Sequence, residues 1–262
     1  MISDAIILKK EIALRDWFTR DCDKSMKIID GLDIGWGGTQ RWATANMPVS
    51  ITAPHLDFCC GYGTFLAHLG WRFPDARLIG LNIDYVGPHA LINSLLSEAG
   101  VDVSLVQADA RQMPFTDNVF GSVSCFLGLQ DIRIGFGDSG VRQALEEATR
   151  VLNAGGSLVL LDDFSFEAFD VFLAGMPLRV ERRGKAKLNI RWDRATAEMA
   201  IGLYAKGYVK QRRSCDREES VGVYEEVYDR MMAEMERQLS DIGYYVPFDS
   251  VRMVISKKTG RE

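Results

Sequence analysis

The stretch HLDFCCGYGTFL, residues 55–66, decides the fold of this chain. An apolar run ends at Asp57, two cysteines follow, and Gly61 and Gly63 stand one residue apart before a second apolar run. Glycines allow the backbone to turn tightly, and the start of a helix offers free N–H groups to a ligand. The stretch therefore predicts a buried strand, a turn that can cradle a ligand, and a helix.

The adjacent cysteines raise the alternative of a metal or redox site. Neighbouring residues of a strand point to opposite faces, so Cys59 and Cys60 could hardly hold one metal ion together. No cluster of Cys and His in the sequence completes a zinc site. An odd total of five cysteines in 262 residues also disfavours a disulfide framework. We predict no metal.

Strands and helices alternate from residue 55 onward. The predicted strands are the apolar runs HLDFCC, ARLIGLNI, VDVSLVQAD, VFGSVSCFLGL and SLVLLDDF, and the clearest helix between them spans residues 139–153. This order predicts the α/β class, with a doubly wound, mostly parallel sheet and right-handed crossovers. In such sheets a ligand lies beyond the carboxyl ends of the strands.

Composition and net charge limit the kinds of molecule that the protein is expected to bind. The formal net charge is −5 and the pI about 5.4, which gives no sign of a general nucleic-acid or anionic-membrane binder. No apolar run approaches the roughly 20 residues that span a bilayer, and the N-terminus lacks the order of a secretory signal. We expect a cytoplasmic protein that binds neither nucleic acid nor membrane, as a monomer or a homodimer.

The glycine turn resembles the first motif of the class I S-adenosylmethionine-dependent methyltransferases, D-x-G-x-G-x-G. Residues 57–63 read DFCCGYG, with Cys59 in place of the first glycine. The dinucleotide fingerprint G-x-G-x-x-G fits less well, because Leu66 replaces its third glycine and Asp57 would repel a pyrophosphate. Four later segments, IGLNID, QADARQMPF, FGSVSCFLGLQDI and ATRVLNAGGSLVLLDDF, follow the family's order and spacing. The resemblance covers about residues 50–165.

The resemblance implies S-adenosyl-L-methionine as the cofactor. Asn82 stands where the family has an acid that binds the ribose hydroxyls, and Asp84 is a possible substitute. Asp109 would bind the adenine amino group. The residues that the resemblance implies for cofactor binding are Asp57, Cys59, Gly61, Gly63, Asn82, Ile83, Asp109, Ala110 and Phe126.

For this family we expect methyl transfer to an O, N or C atom of a small molecule. Holding the reactants close and aligned can contribute about 7–11 kcal/mol, and a base is needed only if the acceptor loses a proton. Asp131 is the candidate catalytic residue, and Asp162 and Asp163 are alternative candidates for the same role. The simpler interpretation of Asp131 is an acid on a solvated loop. His55 begins a strand at the opposite edge.

The acceptor would meet segments outside the core. Trp36, Arg41 and Arg191 are the candidate substrate-binding residues, and the basic run 179–192 indicates an acidic or aromatic acceptor. A solvated basic face explains the same run. The predicted regions are an N-terminal helix and cofactor lid over 1–50, the cofactor-binding core over 51–164, a helical substrate-facing insertion over 165–243, and one or two closing strands over 244–262. In the lid, residues 31–42 are predicted to be a loop.

Two other functions remain open at this point. A non-catalytic, cofactor-binding regulatory protein would explain Cys59 and Asn82 as marks of a drifting site. An oxidoreductase with a nicotinamide nucleotide is disfavoured by Leu66 and Asp57.

Overall fold

The computed structural model describes residues 2–21, 37–48, 53–85, 90–187, 191–211, 217–247 and 250–260. The helices within these ranges are α1 (Asp4–Asp21), α2 (Gly37–Asn46), α3 (Thr64–Arg72), α4 (Ile92–Ala99), α5 (Leu129–Val151), α6 (Phe166–Leu173), α7 (Arg194–Gln211) and α8 (Arg217–Ile242). The strands are β1 (His55–Phe58), β2 (Leu78–Asn82), β3 (Val103–Gln107), β4 (Phe120–Phe126), β5 (Leu152–Asp162), β6 (Leu178–Lys187) and β7 (Ser250–Lys258).

The strands form one seven-stranded sheet in the order β3-β2-β1-β4-β5-β7-β6. Neighbours from β3 to β5 are parallel, and β7 runs antiparallel to both β5 and β6. The prediction of a doubly wound, mostly parallel sheet is confirmed. The carboxyl ends of β1 to β5 meet at one edge, so the loops that follow these strands lie side by side.

Apolar packing covers both faces of the sheet. Leu56 and Phe58 of β1 belong to a core that includes Val141 and Leu145 of α5. On the other face, residues of α1, α3 and α4 pack with Val159 and Leu161 of β5. Because the central strands are buried on both sides, they appear in the sequence as short continuous apolar runs.

The predicted loop over residues 31–42 is wrong for its last six residues, since α2 begins at Gly37. The two glycines at its start are poor helix formers, so tertiary contacts must stabilise this helix. Trp42 packs against β6, where a Cβ on Gly184 would lie 2.9 Å from the indole Cζ2 atom. Arg41 of α2 also forms an ion pair with Glu11 of α1.

The region after the core needs one correction. The segment 165–243, predicted as a helical insertion, contains the helices α6, α7 and α8, but its residues 178–187 form the strand β6. Among the described strands, only β7 pairs with β6, and along β6 half-buried and exposed residues largely alternate. Basic side chains are typical of such edge strands, which they protect from pairing with other chains.

The helix predicted over 139–153 is the second part of α5. Gly137 interrupts α5 with φ 68° and ψ −171°, and a further helical segment precedes it. Gly155 is left-handed at φ 73°, and α5 ends before it, at Val151. Among the described residues, no helix combines the length and apolar character needed to cross a membrane.

Candidate functional site

The turn between β1 and α3 is built from left-handed residues. Cys59, Gly61 and Gly63 have φ values of 56°, 51° and 81°. A Cβ on Gly63 would lie 2.9 Å from Cγ1 of Ile92, so the turn requires glycine there for both conformation and space. A left-handed cysteine costs about 1–2 kcal/mol, and such strain is commonly found at functional sites.

The start of α3 faces this turn. Its N-cap residue, Gly63, provides no side-chain hydrogen bond to the first amides. Gln40 of α2 is fully buried and donates from Nε2 to Oγ1 of Thr64, at 3.0 Å. The uncapped amides at the N-terminus of a helix are suited to an anionic group such as a carboxylate.

Asp57 lies beneath the turn and is fully buried. The Ser124 hydroxyl donates to Asp57 Oδ1 at 2.5 Å. The series of hydrogen bonds continues to His55, whose Nε2 lies 2.9 Å from Ser124 Oγ and whose Nδ1 lies 2.7 Å from Ser122 Oγ. Because the Ser124 hydroxyl donates its only proton to the carboxylate, its oxygen accepts from His55 Nε2–H. Ser122 then donates to Nδ1. Burial lowers the pKa of His55 to about 3, in agreement with this neutral ring.

This series of buried hydrogen bonds was not predicted from the sequence. His55 does begin β1 at the amino end of the sheet, as predicted, but hydrogen bonds link it to the carboxylate below the turn. The register of β1 and β4 places His55 opposite Ser122 and Asp57 opposite Ser124. The H-x-D and S-x-S spacings were the available signal, since residues two apart in a strand share a face.

The predicted ribose contacts follow β2. Asn82 is nearly buried and donates from Nδ2 to the backbone oxygen of Asp84 at 2.9 Å. This bond uses one of the two N–H donors of the amide, and the carbonyl oxygen is the atom that can accept from a ribose hydroxyl. Ile83 is 44% exposed beside it, which is compatible with an apolar surface for a nucleoside.

After β3, Asp109 lies with its carboxylate bound to Arg111, and Ala110 is buried beside it. At the end of β4, Phe126 is nearly buried, and its ring stacks on that of Phe65 with centroids 4.8 Å apart. Phe126 therefore packs α3 onto the sheet, next to the turn. A direct contact of Phe126 with the cofactor stays a prediction.

Asp131 is the third residue of α5, at the carboxyl edge of β4, and the residue as a whole is exposed. The surrounding protein nevertheless shields its carboxyl group from water, and this desolvation, with the Asp163 carboxylate as the smaller cause, raises its pKa to about 6. Asp162 has a different part: it is buried and accepts from the backbone N–H of Leu129 at 3.0 Å and of Gln130 at 3.3 Å. Asp162 thus caps α5, which leaves Asp131 as the better placed candidate base.

Of the candidate substrate-binding residues, Arg41 and Arg191 have different partners. Trp36 lies outside the described residues. Arg41 of α2 forms an ion pair with Glu11 of α1, and Glu11 also contacts Nε2 of His68 in α3 at 2.8 Å. Glu11 therefore links α1 to α2 and α3. The guanidinium of Arg191 lies 4.6 Å from the ring centre of Tyr244. Within the described parts of the chain, no three His, Cys, Asp or Glu side chains are arranged to hold a metal ion.

The topology brings the remaining candidates together. In the strand order β3-β2-β1-β4, the carboxyl ends carry Asp109, Asn82, the glycine turn and Asp131 in that sequence along one edge. A family model described as a methyltransferase domain matches residues 56–156, which span these four loops. Over these residues the chain is similar to methyltransferase domains, in agreement with the resemblance to the class I S-adenosylmethionine-dependent methyltransferases.

Relatives and solved structures extend this result. The methyltransferase core is similar to the demethylmenaquinone methyltransferase of Thermus thermophilus, with 32% identity over 133 residues, 49% of this chain and 57% of the relative. It is 30% identical to the 2-phytyl-1,4-naphtoquinone methyltransferase of Synechocystis over 115 residues, 41% of this chain and 43% of that one. The chain thus spans 57% or less of the length of these two relatives.

The fold is shared with the geranyl diphosphate C-methyltransferase of Streptomyces coelicolor A3(2). The TM-score is 0.51 at 11% sequence identity, over 85% of this chain and 77% of that chain. At this level of identity the likeness concerns the fold alone.

Proposed function

We propose that this protein transfers a methyl group from S-adenosyl-L-methionine to a small-molecule acceptor that carries a phenol-like or quinol ring. The observation that carries the proposal is the left-handed turn at Gly61 and Gly63 in a methyltransferase core, with Asp131 exposed at the same edge. Both relatives named above are called methyltransferases of quinones, which supports an enzyme over a regulatory protein. The Streptomyces structure contains S-adenosyl-L-homocysteine, which supports the choice of cofactor.

The residues present fit this cofactor. A Cβ on Gly63 would meet the side chains of Ile92 and Leu96, so the turn packs directly on α4 and keeps a bare backbone at this position. The uncapped start of α3 suits the cofactor's carboxylate, Asn82 its ribose and Asp109 its adenine. When bound, the cofactor supplies an electrophilic methyl group on a sulfonium, whose leaving group is a neutral thioether.

The acceptor must be electron-rich to attack this methyl group. A quinone ring is electron-poor, whereas its reduced quinol form carries two hydroxyl groups that donate electron density to the ring. We therefore propose the quinol as the reacting form. Asp131 takes the hydroxyl proton as the ring carbon attacks. The methylated carbon then releases its own proton to solvent while Asp131 returns the first proton to the ring oxygen, which restores the aromatic quinol with a net loss of one proton. Holding the two reactants in line is the larger contribution, about 7–11 kcal/mol.

The test is a radiolabel transfer assay with tritiated S-adenosyl-L-methionine and a panel of reduced naphthoquinols, phenols and amines. We expect transfer to the quinols. Replacing Asp131 with Asn should lower kcat by about 10²–10⁴-fold and leave the affinity for S-adenosyl-L-homocysteine unchanged. Asp138→Asn is the matched control, because Asp138 lies on the same helix in an exposed pair with Arg133. Cofactor binding without transfer to any acceptor would instead favour the regulatory protein.

A further inference from the structure

The two cysteines of the glycine turn belong to different cores on the two faces of the sheet. Cys60 packs with residues of α1, α3 and α4, and its Sγ lies 3.6 Å from the hydroxyl oxygen of Tyr85. Cys59 packs in the opposite core, which contains Cys125 of β4. The thiol next to Cys59 in the sequence is therefore on the far side of the sheet, whereas a thiol from another strand lies on its own side.

Gly128 allows Cys59 and Cys125 to meet. A Cβ on Gly128 would lie 2.3 Å from Cβ of Cys59, 3.2 Å from its Sγ and 3.0 Å from Sγ of Cys125. Both sulfur atoms thus approach the space that a side chain at this position would fill. The two thiols are hydrogen-bonded to each other, and both cysteines are free.

The backbone positions of Cys59 and Cys125 suit a disulfide. Cys59 directly follows β1, and the pairing of Asp57 with Ser124 places Cys59 one position further along its strand direction than Cys125. Neighbouring strands lie about 4.8 Å apart, and each residue advances about 3.3 Å. A diagonal pair of this kind falls within the Cα separation of about 4.4–6.8 Å that disulfides require.

The two thiols differ in their access to solvent. Cys59 is half-buried, whereas Cys125 is fully buried. Burial and, secondarily, the hydrogen bond with Cys59 raise the pKa of the Cys125 thiol well above its usual range. Because oxidants react with exposed thiols that can ionise, a small oxidant reaches Cys59 first and leaves Cys125 as the protonated thiol.

We propose that Cys59 is an oxidation site for hydrogen peroxide, that Cys125 converts the oxidised form into a disulfide, and that this disulfide weakens cofactor binding. The Cys59 sulfur attacks one peroxide oxygen, the O–O bond breaks, and the thiol proton leaves with the other oxygen as water. The Cys125 sulfur then attacks the sulfur of the sulfenic acid, and its proton leaves with the sulfenic oxygen as a second water. Two thiols are oxidised by two electrons, and one peroxide is reduced.

The effect on the turn follows from the length of the new bond. Two bonded sulfur atoms lie about 2.05 Å apart, far closer than two hydrogen-bonded thiols. Cys125 is held inside a central strand, so Cys59 and the turn must move. Hydrogen bonds tolerate donor–acceptor distances of only about 2.7–3.2 Å, and a moved turn loses some of those to its ligand. This last step rests on the proposed function, because it takes the turn as the cofactor site.

The experiment treats the reduced protein with hydrogen peroxide and maps its tryptic peptides by mass spectrometry without reductant. We expect peptide 42–72, which contains Cys59 and Cys60, to be linked to peptide 112–133, which contains Cys125. In calorimetry the Kd for S-adenosyl-L-homocysteine should rise at least about tenfold, the effect of losing one hydrogen bond to a charged group. Dithiothreitol should restore the Kd, which distinguishes the disulfide from oxidised methionines.

Cys60→Ala is the matched control, because it removes the adjacent thiol on the other face of the sheet and should still give the linked peptides. Cys125→Ala should give none, and Cys59→Ser provides the same test should Cys125→Ala fail to fold. Unlinked peptides in the treated protein, or a link that persists in Cys59→Ser, would show that the oxidation site is wrong.

The calorimetric result separates this inference from the proposed function. A linked protein that binds the nucleoside as tightly as the reduced protein overturns the effect of the disulfide on the cofactor. A reduced protein that binds no nucleoside overturns the proposed function instead, and the peptide map still decides whether Cys59 is oxidised to a disulfide with Cys125.

Discussion

The buried hydrogen bonds that connect His55 to Asp57 through Ser124 predict how the stability of the protein depends on pH. An unfolded histidine has a pKa of about 6.5. In the folded protein, burial lowers the pKa of His55 to about 3. The unfolded chain therefore takes up a proton below pH 6.5 that the folded chain refuses. This contribution to stability is complete above pH 7 and is lost as the pH falls toward 3.

The magnitude follows from these two pKa values. Each pH unit well below 6.5 removes about 1.4 kcal/mol from the free energy of unfolding, so the loss between pH 7.5 and pH 5.0 is about 2 kcal/mol. Asp131 has the opposite sign, because its raised pKa makes the folded chain bind the extra proton. A comparison with His55→Gln removes this term, since Asp131 is present in both proteins.

The assay is urea unfolding, followed by circular dichroism, at pH 5.0, 6.0 and 7.5. The glutamine can still donate and accept hydrogen bonds but cannot titrate. We expect the unmodified protein to lose its advantage over His55→Gln by about 2 kcal/mol between pH 7.5 and pH 5.0. A difference that stays constant over this range would refute the buried, neutral ring. A change of the opposite sign would indicate a protonated His55 in the folded state.

Gly63→Ala should lower the free energy of unfolding by about 1–3 kcal/mol in thermal melts, because φ is 81° and a Cβ would lie 2.9 Å from Ile92. The displaced turn should no longer bind S-adenosyl-L-homocysteine in calorimetry. Gly100→Ala is the control: φ is 64° but nothing lies within 4 Å, so some stability should be lost while nucleoside affinity is kept. Gly184→Ala should cost about 1–3 kcal/mol in urea unfolding by pushing the Trp42 ring away; an unchanged midpoint would contradict the contact of α2 with β6. The kcat/KM for the acceptor should fall below pH about 6 because Asp131 becomes protonated, and Asp131→Asn should lack this limb.

The central strands were predictable because parallel strands buried on both faces leave continuous apolar runs in the sequence. β6 was not, since one edge of it faces solvent and its basic residues have the pattern of a charged surface. α2 was missed for a related reason: its helix depends on packing of Trp42 and Arg41 against distant segments, which local propensity does not encode.

The site divides in the same way. The glycine turn has a local signature, because left-handed residues restrict the amino acids that can occupy them. The hydrogen bonds of His55 with Ser122 and Ser124 join residues 67 and 69 positions apart, so only the strand register brings them together. Arg111 is near Asp109 in the sequence, but the Phe136 ring under its guanidinium comes from α5, which only the fold brings alongside.

The central claim is that the turn at Gly61 and Gly63 binds the cofactor, and calorimetric titration with S-adenosyl-L-homocysteine tests it most directly. We expect one molecule to bind per chain, with a Kd in the range of about 1 μM to 1 mM that is typical of enzyme ligands. Replacement of Gly63 with Val should abolish this binding, while Gly100→Ala should retain it. A folded, unmodified protein that releases no heat at millimolar nucleoside, or a Gly63→Val protein that binds equally well, would contradict the assignment of this site.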